Sequence, residues 1–172
     1  MSTDCNDSER AKIGRVHKRL AIDDNGPATG SVADRDVIAF WELPCSSIIT
    51  EGTAKIEQVT LLEHYHNAAF TETNKDVIIH FSSFELITNT DNAEFTLDDI
   101  DGELENYLGF VKITTEDFVK VDNINVAQMN NLNLNIGTAA DSKTIWAYLV
   151  ADEIQTINAN AKYKIIANIT KD

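Results

Sequence analysis

The chain has 172 residues, 43% of them apolar, and 28 acids against 14 bases give a formal charge of −14. That length and apolar share suffice for one domain with a core of its own. The charge argues against nucleic acid and anionic membranes as partners, and the chain has no run of about eighteen apolar residues with which a helix could cross a bilayer.

The N-terminal residues MSTDCNDSERAKIGR place no apolar stretch after their charges, so no secretory signal is expected. Cys5 and Cys45 do not make a disulfide framework, and reduced thiols in a cytoplasm are the expectation. Arg10, Lys12, Arg15, Lys18 and Arg19 are five of the fourteen bases, which leaves residues 1–19 at about +2 and the rest at −16. Such a segment can meet an acidic partner surface or the chain's own acidic body. Gly26-Pro27-Ala28-Thr29-Gly30-Ser31 reads as a hinge. Residues 1–30 are therefore expected to be an extended, partly basic arm, with Val16, Leu20 and Ile22 forming a strand or a loose segment, and residues 31–172 the domain.

The domain reads as strands. Asp36 to Phe40 is a short one, and Ile56 to Leu62 starts a second. Val77 to Phe81 lies between Asn74-Lys75-Asp76 and Ser82-Ser83. Tyr107 to Thr114 follows, with Phe110 opposed in phase to Val111 and Ile113. Thr115 to Val119 fits one helical turn capped by Thr115. Leu132 to Ile136 alternates strictly, as a strand with one wet face does. Thr144 to Val150 and Tyr163 to Ile169 are β-branched and aromatic. Crossover helices for a doubly wound sheet are missing. The expected fold is all-β: an antiparallel, jelly-roll-like sandwich with an N-terminal arm.

Three patterns invite a chemical reading. TLDDIDGELENYLG, residues 96–109, looks like a calcium loop. Placing Gly102 at loop position 6 puts Asp99 at 3 and Asp101 at 5, but Leu97 at 1 and Leu108 at 12, where an EF-hand needs oxygen ligands. The stretch fits a capped acidic turn, Thr96 with Asp99, leading into a strand. A surface calcium site using Asp98, Asp99 or Asp101 with a distant loop stays open. His64-Tyr65-His66 places two imidazoles on one face of a strand, and His80 is a third metal ligand if register allows; the alternative is a pair of rim histidines. Trp41 and Trp146 are core or interface anchors, or a sugar site is built on Trp41, Trp146 or Tyr148. Cys45 has no basic neighbour to activate it and reads as a core or loop cysteine. Nucleophile elbow, phosphate loop and dinucleotide fingerprint are all missing, so neither an enzyme nor a cofactor is expected.

The order of apolar blocks has a likeness of its own. Asp36-Val37-Ile38-Ala39 follows the polar arm. Gly52, Lys55 to Leu62, and Val77 to Ser83 come next, then an acidic segment ending in Asp101. Tyr107 to Ile113, Thr144 to Val150, and a closing strand ending in Asn168-Ile169 complete the series. Across roughly residues 34–170 this order resembles small virion structural proteins of tailed bacteriophages, of the kind read as head decoration or cement proteins. The basic arm at 10–19 has no counterpart in that pattern.

The resemblance implies a non-enzymatic sandwich, made in the host cytoplasm and carried on the capsid surface. It implies that the chain docks on the major capsid protein shell or on other virion proteins and works as a homo-oligomer, a trimer being one form. Arg10, Lys12, Arg15, Lys18 and Arg19 are then the partner contact. The alternatives are a tail, baseplate or fibre-associated adaptor, a calcium-dependent carbohydrate-binding sandwich, and a metal enzyme built on His64, His66 and His80.

Overall fold

A computed structural model describes residues 16–23, 29–45, 54–65, 75–86, 92–97, 103–136 and 144–171. The described chain is almost all strand. In order these are β1 (Val16–Asp23), β2 (Gly30–Val32), β3 (Val37–Pro44), β4 (Ala54–Tyr65), β5 (Val77–Ser82), β6 (Tyr107–Ile113), β7 (Phe118–Val121), β8 (Ile124–Met129), β9 (Leu134–Ile136), β10 (Thr144–Ala151), β11 (Gln155–Ile157) and β12 (Ala161–Lys171). One α-helical turn, α1 (Glu103–Asn106), leads directly into β6, and a 3-10 turn (Thr115–Asp117) leads into β7.

Every pairing is antiparallel. The larger sheet runs β1-β12-β4-β8-β7, with β9 beside the other half of β4. The smaller runs β3-β10-β5-β6. Taking β1, β3, β4, β5, β6, β8, β10 and β12 as the eight main strands, the chain crosses from one sheet to the other at each step, except for the β5–β6 step within the smaller sheet. That order is a jelly roll. A short β2–β11 ribbon adds Val32 and Ile157 to the core.

The alternation of side chains explains the two layers. In β12, Ala161, Tyr163, Ile165, Ala167 and Ile169 turn inward, while Lys162 and Lys164 turn out. In β10, Ile145, Ala147, Leu149 and Ala151 turn inward, and Trp146, Tyr148 and Val150 outward. The inner faces meet in one apolar core with Ile38, Trp41, Leu43, Ile56, Leu61 and Phe81 fully buried.

Gly109 matters to the closure of the sandwich. Its φ is +127°, a backbone conformation that favours glycine, and a Cβ there would stand 2.7 Å from Leu134 Cδ1, where β6 faces β9.

Several sequence expectations need correction. Val16–Asp23 does not belong to a loose arm: it pairs over its whole length with β12 and sends Leu20 into the core, so any arm is confined to residues before Val16. Leu132 and Asn133 lie outside a strand, because the chain breaks between β8 and β9, where Leu132 N–H bonds to Glu57 O at 2.9 Å. The turn after β6 is capped by Thr114 rather than Thr115. Thr114 N–H and Oγ1 both bond to Asp117 Oδ2 at 2.8 Å, and Phe118 and Val119 are already strand.

Leu149 sits in the middle of the core with no exposure. Leu149→Ala should cost about 2–5 kcal/mol, read as a lower urea midpoint at unchanged slope.

Candidate functional site

Side chains that carry chemistry can lie between the sheets or on the two outer faces. Between the sheets the main polar feature is one row. Glu63 on β4 accepts hydrogen bonds from Tyr163 Oη (3.0 Å) and from Asn125 Nδ2 (3.0 Å), joining β12, β4 and β8 across the inner face. The row binds three strands together and opens to no described cavity. Trp41 is also inside, 2% exposed, with its Nε1 lacking a hydrogen-bond partner among the described residues.

The outer face of the smaller sheet carries an aromatic row. Register aligns Phe40, Tyr148, His80 and Phe110 across all four strands. The chain covers part of this row itself. Val37 N–H bonds to Ala93 O and Phe95 N–H to Arg35 O, both at 2.8 Å, which lays residues 92–95 beside the start of β3. Phe95 then stacks on His80 at 4.1 Å, and Leu86 N–H donates to Tyr148 Oη at 2.7 Å. Val37, Leu86, Tyr148 and Val150 form a second buried cluster, with Phe40, Phe95, Leu97 and Trp146 packed on it.

His80 is the most perturbed titratable group here. Its Nδ1 shares a 2.9 Å hydrogen bond with the Tyr107 hydroxyl. Burial pushes its pKa down from 6.5 to about 4, and burial also raises that of Tyr107. The imidazole is thus a neutral aromatic plate in the cover, and not an acid–base group at neutral pH. At one end of this sheet Lys112 bonds to Asp152 (2.5 Å), which raises its pKa, while Thr115 N–H donates to Asp76 (2.8 Å) and holds that carboxyl below its usual range. These contacts tie β5, β6 and β10 together.

The sequence-derived sites come apart in this fold. His64 points outward from β4 in the larger sheet, and His80 outward from β5 in the smaller. The two therefore stand on opposite sides of the sandwich and cannot share a metal; His66 lies outside the described residues. Among the described residues no group of three His, Cys, Asp or Glu side chains is placed to hold an ion. Asp99 and Asp101, like Asp98, lie outside the described residues. Trp41 is buried in the core and Tyr148 is buried in the second cluster, so neither offers a sugar platform, while Trp146 turns out and is half-buried against that cluster. Cys45 is a buried core residue. Of the basic cluster, Lys18 and Arg19 lie on β1, with Arg19 exposed, while Arg10, Lys12 and Arg15 lie outside the described residues.

The outer face of the larger sheet was not foreseen. Its edge hairpin, β7 and β8, exposes Val119 (62%), Val121 (57%) and Ile124 (39%). The alternation that betrays it, Phe118 in and Val119 out, runs over only four residues, too short to separate from the preceding helical turn.

No family model matches the chain, and no curated protein does. Solved structures overlap it only loosely. One is the Desmodium yellow mottle tymovirus, at 11% identity and TM-score 0.33, over 91% of this chain and 85% of that one. A Macrobrachium rosenbergii nodavirus semi-empty VLP overlaps at 11% identity and TM-score 0.34, over 91% and 93%. The tobacco streak virus coat protein overlaps at 8% identity and TM-score 0.29, over 89% and 86%. Superposition this loose equates no residues, and the jelly-roll assignment rests on the strand order of this chain.

His80 generates a pH dependence. The unfolded chain takes up a proton on this residue near pH 6.5 and the folded chain only near 4, so in that window the unfolded state binds more protons. Stability should fall as pH drops from 6.5 toward 4, by up to roughly 2 kcal/mol once partial exposure is allowed for. Urea midpoints across that range should show the slope in the native chain and a shallower one in His80→Phe.

Proposed function

We propose that this chain is a non-enzymatic structural component of a virus particle, a decoration or cement protein that docks on the shell of the major capsid protein and stabilises it. The observation that carries the reading is the jelly roll with its interior filled. Both inner faces are spent on packing, and among the described residues the side chains that invited chemistry are divided between core and opposite surfaces. What such a body offers a partner is its outside. Jelly rolls serve capsid and lectin domains and cupins alike, and fold alone does not choose among them. The split of Trp41 from Trp146 and of His64 from His80 counts against the sugar-binding and metal readings. The likeness of the apolar block order to head decoration proteins favours the virion.

The mechanism is mass action. A protein that binds assembled shell better than loose subunits shifts the equilibrium toward shell, and many copies on one lattice multiply a modest contact. The acidic body keeps free copies soluble until they dock. In this proposal Arg10, Lys12, Arg15, Lys18 and Arg19 form a basic contact to the shell. Because Val16–Asp23 is a core strand, removing residues 1–30 would damage the fold itself.

The test is quantitative mass spectrometry of gradient-purified particles of the encoding virus, with and without the gene. The chain should be present at a fixed ratio to the shell subunit, and particles lacking it should melt at lower temperature. A copy number far below that of the shell subunit would place it at the tail. Absence from the particles would end the proposal. A chain beginning at Val16 should melt as the full chain does and load onto shells less well; equal loading would remove the arm's role.

A further inference from the structure

The two outer faces of the sandwich differ in one respect. The smaller sheet is partly covered by residues of its own chain, Leu86, Phe95 and Leu97. The larger sheet has no such cover over its β4-β8-β7 side among the described residues. Register aligns two rows there: Lys164, Leu62, Val126, Val119, and Lys162, His64, Ile124, Val121. Leu62 and Val126 are half-buried, and Val119, Val121 and Ile124 are exposed. Five branched aliphatic side chains on adjacent strands make one continuous apolar strip, the kind of patch that marks an interaction surface.

We propose that this strip is a self-association surface on which a second copy of the chain packs face to face. The charge pattern selects that occupant. In a chain with twice as many acids as bases, the outward positions of these two rows on β12, β4, β8 and β7 carry two lysines and one histidine, and β1 adds Asp23 beside Lys164. Apart from Asp23, the acids near the strip stand on its other side: Asp122 in the β7–β8 turn and Glu116 in the turn before β7, both exposed.

A two-fold axis parallel to the strands reverses strand order between the copies. The apolar strip then meets itself. Lys162 and Lys164 of one copy reach past the β7 edge of the other, toward its Asp122 and Glu116. One surface patch thus contains both halves of a self-complementary contact, as an isologous interface requires. Lys164 already pairs with Asp23 of its own chain at 3.0 Å, so Lys162 is the freer of the two to bridge outward. The contact does not depend on the virion reading.

Sedimentation velocity of the full chain tests it. The native chain should sediment as a dimer. Val119→Lys with Val121→Lys should raise the dissociation constant by about tenfold or more, with unchanged circular dichroism. Should that variant not fold, Val119→Thr with Val121→Thr keeps shape and strand propensity and reads the same contact. Lys162→Glu should weaken the dimer, and adding Asp122→Lys should restore it. A native chain that stays monomeric overturns the proposal. So does a dimer indifferent to the valine substitutions, or a charge swap that fails to recover.

Discussion

β12 is held between two strands from far earlier in the chain, β4 along its full length and β1 from Lys164 to Lys171. Val16–Asp23 pairs on one side and Ala54–Tyr65 on the other, and the inward side chains Ile165, Ala167 and Ile169 lie beside Ile22, Leu20, Val59 and Leu61. The larger sheet therefore cannot be completed until the end of the chain has docked. The ladders close between residues 96 positions apart at the nearest for β4 and 141 for β1, and that loop entropy must be met before the contacts form. Such a topology favours slow, cooperative folding. The larger sheet ends in β1 on one side and β7 on the other, and the smaller in β3 and β6. β7 is the shortest of these four edges, four residues with Lys120 exposed, the sort of charged short edge that discourages open-ended strand addition.

The interior is committed to packing. Its buried polar row, Tyr163-Glu63-Asn125, is hydrogen-bonded within itself and spans three strands. A carboxylate in a core is costly to place and costlier to leave without donors, so the row has value only in one register. A one-residue slip of β4 against β12 would carry Glu63 to the outer face and Leu62 to the inner. The row acts as a register lock, a role in specificity that an apolar substitute would not fill.

The strands with strong, long alternation were legible in the sequence. β4, β5, β6, β10 and β12 lie where the pattern placed them, because each buries a continuous apolar face and the period of two survives over six residues or more. β1 reads as either a strand or a loose segment because its flanks are basic and polar, although Leu20 and Ile22 carry the inward phase. The β7–β8 hairpin was missed because its turn, Asp122-Asn123, lacks glycine; Asp122 itself takes the left-handed conformation at φ 56°. The sites were less legible still. His64 and His80 share a residue type, and the sequence sets them sixteen positions apart, but crossing from one sheet to the other between β4 and β5 turns their side chains in opposite directions. Pairing in space depends on sheet membership, which local pattern does not encode.

The same crossing accounts for what the surface became. A jelly roll has two outer faces and one chain to cover them. Here the segment after β5 folds back over the smaller sheet, where His80 serves as a stacking plate under Phe95 because burial keeps it neutral. On the larger sheet the tight β7–β8 hairpin carries outward valines that extend the apolar strip. Acids gather at the hairpin's turn and at the turn before it, lysines on β12, and the strip lies between them. Exposed valine on an edge hairpin of so acidic a chain is a solubility liability that nothing among the described residues offsets. It becomes intelligible when another surface covers it.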